Sequence, residues 1–135
     1  MRQVIQIQTE KRETLVDITG QVKEVLARSG IQNGLLSVYC QGATGAIMIQ
    51  ENWDDSVQTD VVNLLAEMIP RGVWLHDQQD GNGDAHLKAG LVGPSEIIPV
   101  INGNLGLSTW QNIFFCEFDG PRSKRTIICT LINDD

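Results

Sequence analysis

Two apolar runs near the C-terminus, Trp110 to Phe118 and Lys124 to Ile132, constrain the fold most. Only Asp119 to Ser123 separates them, and Asp119-Gly120-Pro121 is a turn that neither a helix nor a continuous strand can cross. The first run reads as a long strand and the second as the last strand of the chain. In the last strand Ile128 and Ile132 fall on one face, while Ile127, Cys129 and Leu131 fall on the other. Apolar residues on both faces predict a strand covered on both sides, by helices or by another subunit.

The rest of the chain supplies partners for these strands. Residues 3–8 alternate in part and read as a strand, and Thr14 to Asp17 as a short second one. Leu35 to Gln41 and Ala46 to Gln50 read as buried strands joined by Gly42-Ala43-Thr44-Gly45. That small-residue turn is either a tight link chosen for backbone freedom or a place where amides and the Thr44 hydroxyl approach a ligand. Leu87 to Val92 and Glu96 to Ile101 are expected to be further strands, with Gly93-Pro94 breaking between them and Asn102-Gly103 as a hairpin turn.

Two helices are expected. Ile18, Val22, Val25 and Leu26 recur at i, i+4, i+7 and i+8, with Thr19 as N-cap and Gly30 as the stop. In the second, Asp54 or Asp55 caps a buried stripe of Val57, Val61, Leu65 and Met68, and Pro70 and Gly72 end it. The fold class predicted is α+β, two helices packed on a largely antiparallel sheet, in one domain covering residues 1–135.

Charge and cysteine content narrow the function. A net charge of -7 disfavours a general grip on nucleic-acid phosphate. The one basic cluster is Arg122, Ser123, Lys124 and Arg125, either a solvated hairpin end or an anion contact. No run approaches the roughly 20 apolar residues that span a bilayer, so no membrane partner is expected. No signal peptide is expected either, since the opening residues alternate polar and apolar. Cys40, Cys116 and Cys129, an odd number with no CxxC pair, suggest reduced core thiols in a cytoplasmic protein.

The stretch His76 to His86 holds both histidines of the chain with Asp77, Asp80, Asn82 and Asp84. It lacks helical or strand periodicity and is expected to be a polar loop. Asp80-Gly81-Asn82-Gly83-Asp84 begins like a calcium loop, but Ala85 stands where glycine is required and Leu91 where a bidentate glutamate is required. What remains is a pair of imidazoles suited to a divalent transition metal, or one histidine acting as acid or base beside an aspartate. A third reading leaves both as hydrogen-bonding residues that fix the loop. Glu51 and Asn52 also draw notice, because they lie where a strand runs out.

The spaced series Leu75-His76-Asp77, Asp80 to His86, Gly93-Pro94-Ser95, Ile98-Pro99-Val100, Gly103 and Thr109-Trp110-Gln111 resembles the YjbQ-type family. Gln50-Glu51-Asn52 and the ending Glu117 to Arg122 match as well. The resemblance covers nearly everything from Leu35 onward. It implies a homotrimer with secondary thiamine-phosphate synthase activity, which joins a pyrimidine pyrophosphate to a thiazole phosphate. The alternative is a non-catalytic trimeric module that captures a small phosphorylated or anionic metabolite, and a purely structural trimer is a third.

Carried over by position, the resemblance implies His76, His86, Glu51 and Asn82 as catalytic residues. Thr44, Ser95, Gln111, Arg122 and Arg125 become substrate contacts. A divalent metal, zinc or magnesium, would rest on His76 and His86. Many family members have histidine and threonine where this chain has Gly42 and Ala43. A three-histidine site is therefore out of reach, and further ligands would come from Glu51, Asp77 or Asp84.

Overall fold

Period-two alternation becomes eight strands in the computed structural model, which describes residues 1–134. They are β1 (Arg2–Thr9), β2 (Thr14–Asp17), β3 (Gly34–Cys40), β4 (Gly45–Glu51), β5 (Ser95–Ile101), β6 (Asn104–Leu105), β7 (Gln111–Glu117) and β8 (Arg122–Asn133). Every pairing is antiparallel. The strands form two sheets, one ordered β1-β8-β3-β5-β6 and one ordered β2-β7-β4. β7 and β8 are therefore not a hairpin. Asp119-Gly120-Pro121, with a cis peptide before the proline, carries the chain from the small sheet to the large one.

Three α-helices complete the α+β architecture: α1 (Thr19–Ser29), α2 (Ser56–Met68) and α3 (Gly83–Val92). Helix α1 buries Val22, Val25 and Leu26, with Ile18 just before it, against Leu36, Val38, Ile127 and Leu131 of the large sheet and Ile47 and Phe115 of the small one. Each such burial contributes roughly 1.5–3 kcal/mol. Gly30 ends α1 in the left-handed region, at φ 70°. The other face of the small sheet, through Ala46, Cys116 and Phe118, packs on Leu65 of α2 and on Ala85 and Ala89 of α3. The small sheet is thus buried on both faces, which explains the unbroken apolar run Ile113 to Cys116.

Several expectations change. Leu87 to Val92 is helical and extends α3, so there are three α-helices rather than two. The helical spacing is set by Ala85 and Ala89, small residues four apart that let α3 lie close on β4. Asp84 and Lys88, also four apart, form a buried ion pair. Thr19 does not cap α1; its backbone N–H and its hydroxyl both donate to Asp17 Oδ1, at 2.9 and 2.6 Å. In α2, Asp54 accepts from the Ser56 N–H at 2.8 Å, Leu65 is buried, and Met68 is exposed. The cover expected on both sides of β8 is present within the chain on one side only. Ile127, Cys129 and Leu131 are buried, while Ile132 is 60% exposed. Asn102 (φ 51°) and Gly103 (φ 78°) do form the expected turn, between β5 and β6.

Candidate functional site

The stretch expected to be a loop is a 3₁₀ turn (Leu75–Gln78) followed by the start of α3. Asp77 organises it: Oδ2 accepts from the Trp74 N–H at 3.1 Å and Oδ1 from the Gly83 N–H at 2.8 Å. These backbone hydrogen bonds hold the Asp77 carboxyl below its ordinary range. Gly83 is required there, because a Cβ would lie 2.8 Å from Trp74 Cβ and 2.9 Å from Asp77 Oδ1. The result is that His76 and His86 meet edge to face, with ring centroids 4.6 Å apart at 80°. An apolar hollow beside them is lined by Trp74, Leu75 and Leu87. The His76 ring is 41% exposed, yet its Nε2 is covered and has no hydrogen-bond partner; Asp80 Oδ2 stands 3.5 Å away.

The histidine pair does not make a metal site on its own. Among the described residues no group of three or more histidine, cysteine or acidic side chains is arranged to hold an ion. Asp77 is committed to backbone amides. Asp84 is buried, accepting from Arg12 at 3.0 and 3.2 Å and from Lys88 at 2.9 Å. Burial would raise the Asp84 pKa, but the Arg12 and Lys88 hydrogen bonds more than offset this and hold it low. Lys88 also donates to Glu13, so these four charges tie α3 to the β1–β2 connection.

Asn82, one residue before α3, donates from Nδ2 to Asp119 Oδ2 at 2.8 Å. Arg122 reaches the same carboxylate oxygen through Nη2 at 2.9 Å and bonds the Asp119 carbonyl through Nε. Asp119 therefore joins the start of α3 to Arg122, the first residue of β8. Asn82 Oδ1 is left covered and without a partner.

A second polar cluster lies in the interior nearby. Arg125 donates to Glu117 through Nε at 2.9 Å and through Nη2, and Nη2 also reaches Thr44 Oγ1 at 3.0 Å. Thr9 donates its hydroxyl to Glu117 Oε1 at 2.7 Å and accepts from the Arg122 N–H at 3.0 Å. The guanidinium carbon stands 5.6 Å from the centre of the Phe115 ring. Burial would raise the Glu117 pKa; Arg125, Thr9 and the Asp119 N–H hold it below the usual carboxylate range. The Cys116 thiol, enclosed in the core, is pushed up to about 12 by burial and is inert as a nucleophile.

The remaining candidates are elsewhere. Glu51 and Gln111 pair across β4 and β7 at the opposite end of those strands from Gly45 and Glu117. At a rise of about 3.3 Å per residue, that places them on the order of 20 Å from Thr44. Glu51 and Gln111 are thus at the far end of those strands from Thr44 and Glu117. Trp110 and Trp53 stack edge to face at that far end, 4.8 Å apart. Ser95 opens β5 opposite Tyr39, exposed on the outer side of the large sheet. Sequence reading missed Asp119, Thr9, Arg12 and Glu117. Glu117 alone had a visible signal, as one carboxylate inside an otherwise apolar run.

These features define an α+β protein of two antiparallel sheets in which a histidine-bearing helix end is set against a basic turn. The chain belongs to the UPF0047 (YjbQ-like) family, whose model matches residues 3–134. It is 43% identical to UPF0047 protein MJ1081 of Methanocaldococcus jannaschii over 96% of this chain and 92% of that one. It is 41% identical to YugU of Bacillus subtilis over 95% and 97%. The fold matches a YbjQ-like protein of unknown function from Sulfolobus solfataricus with a TM-score of 0.96 at 36% identity, covering 99% and 97% of the two chains. APE1520 of Aeropyrum pernix gives 0.94 at 38%, covering 99% of each. No helix among the described residues is long and apolar enough to cross a membrane.

Proposed function

We propose that the chain is a small-molecule enzyme acting on a phosphorylated metabolite where the end of α3 meets the Asp119–Arg122 turn. The reaction proposed is the joining of a pyrimidine pyrophosphate to a thiazole phosphate. The observation that supports it is the shared carboxylate of Asp119, which brackets Arg122 and Asn82, the latter four positions before His86. In that reaction a carbon–nitrogen bond forms as the carbon–oxygen bond to pyrophosphate breaks. Arg122 would bind the departing pyrophosphate, and His86 or His76 would donate or relay a proton to it. Among the described residues the pair has no third histidine, cysteine or acidic side chain arranged with it to hold an ion.

The test is direct. The purified protein is incubated with both substrates and thiamine phosphate is measured, alongside His86→Ala and Arg122→Ala. Turnover that both variants lose supports the assignment. Absence of product from the wild type, with retained binding of the phosphate esters, favours the second reading, a binding module without catalysis. Near-stoichiometric zinc or magnesium in the untreated protein would restore a metal at the histidines.

Assembly as a homotrimer is part of the proposal. The outer face of the large sheet exposes Val4, Leu35, Tyr39, Ile97 and Ile132, and the helical side exposes Leu64, Met68, Leu75 and Leu91. Two unlike apolar faces on one chain suit the head-to-tail contact of a closed ring, whereas a two-fold dimer needs only one. Light scattering at the mass of three chains supports this; a monomer at micromolar concentration overturns it. A cytoplasmic location accords with three buried, unpaired cysteines.

A further inference from the structure

We infer that Arg125 and the Gly42–Thr44 turn form an oxyanion subsite, opened to solvent by the absence of a side chain at Gly42. The inference rests on the anion reading above and specifies where the anion's oxygens sit.

The guanidinium of Arg125 is fixed on three sides. Glu117 takes Nε and Nη2, Thr44 takes Nη2 as well, and Phe115 stands beside the plane. The side chain keeps only 9% of its exposure. Nη1 alone has no hydrogen-bond partner among the described residues, and it is not among the sealed polar atoms. It faces Gly42: a Cβ on that residue would lie 3.3 Å from Nη1. Gly42 and Ala43 are exposed. Any larger residue at position 42 would therefore cover the one free edge of this arginine.

Such a site suits one terminal oxyanion group of a ligand. Glu117 cancels the formal charge of Arg125, so attraction comes from fixed donors rather than a strong field. Two Nη1 protons, together with the Thr44 hydroxyl beside Nη2, offer directional hydrogen bonds to one carboxylate or phosphate group. The donors are already oriented, so binding costs little ordering entropy.

The experiment follows the backbone amides of Gly42 to Gly45 and the arginine side-chain nitrogens by NMR. Acetate and inorganic phosphate are the probes, with chloride at matched ionic strength as the control. Saturable shifts confined to that turn and to Arg125 are expected for both oxyanions and not for chloride. Gly42→Val, on an exposed turn, should weaken them roughly tenfold or more while leaving the thermal midpoint near wild type. Lys124 lies on the opposite face of β8 from buried Arg125, so Lys124→Ala should leave the shifts intact. Equal responses in wild type and Gly42→Val, or a loss in Lys124→Ala alone, would overturn the subsite. If phosphate esters still bind and turnover still depends on His86, the anion belongs to Arg122 and only this inference fails.

Discussion

Arg125 and Glu117 lie fork to fork in the interior, two guanidinium nitrogens on two carboxylate oxygens, with Glu117 wholly enclosed. Removing one partner leaves the other as an uncompensated buried charge. Glu117→Ala is therefore expected to destabilise the protein by about 3–5 kcal/mol. The midpoint of urea unfolding measures it; a loss below about 1 kcal/mol would mean that water reaches the pair freely.

Acid should weaken the fold in a defined window. Glu117 and Asp84 both have folded pKa values below their ordinary ones. Their contribution is fully present above the unfolded carboxylate range, about 3.9–4.3, and disappears as pH falls through the lowered folded values. Stability measured from pH 7 downward should stay level until about pH 5 and then drop. In Asp84→Asn the drop should be shallower, since the Asp84 titration is removed.

Gly45 sits against the ring of Phe115, where a Cβ would meet Cζ at 2.6 Å and Cε1 at 2.8 Å. Gly45→Ala is expected to cost about 1–3 kcal/mol by forcing that ring out of its packing. A Cβ at Gly90 would meet nothing within 4 Å. Gly90 lies inside α3, so Gly90→Ala should gain up to about 1 kcal/mol from helix propensity. Thermal melts of the two variants should move in opposite directions.

Asp77 holds the approach to α3 through two backbone amides. In Asp77→Ala the Trp74 and Gly83 amides should exchange with solvent faster, and contacts between the His76 and His86 rings should weaken in NMR spectra. Unchanged exchange at Gly83 would show that the turn is held by other means.

Much of this was legible along the chain. The stripe Ile18, Val22, Val25 and Leu26 marked α1, and Asn102-Gly103 marked its turn, because each signal is complete within a few residues. The misreading of Leu87 to Val92 as a strand has a similar local origin. Six residues with four apolar positions fit either period, and the deciding pairs, Ala85 with Ala89 and Asp84 with Lys88, reach outside that window. The candidate site was half legible: residue types marked His76, His86, Asn82 and Arg122, but nothing in their spacing announced Asp119 between them.

What the sequence determined by itself was most of the set of elements, the antiparallel character of the strands, and the residues rich in chemistry, since periodicity, turn residues and side-chain type are local properties. Tertiary structure alone decided that β7 and β8 belong to different sheets, so that Arg125 turns inward to Glu117 while Arg122 stays half-exposed on Asp119. It also decided that Glu51 and Gln111 pair at the opposite end of their strands from Gly45 and Glu117. The physical reason is that strand pairing is set by contacts between residues distant in the chain. Thr9 and Glu117, 108 positions apart, leave no trace of their meeting in either one's neighbours.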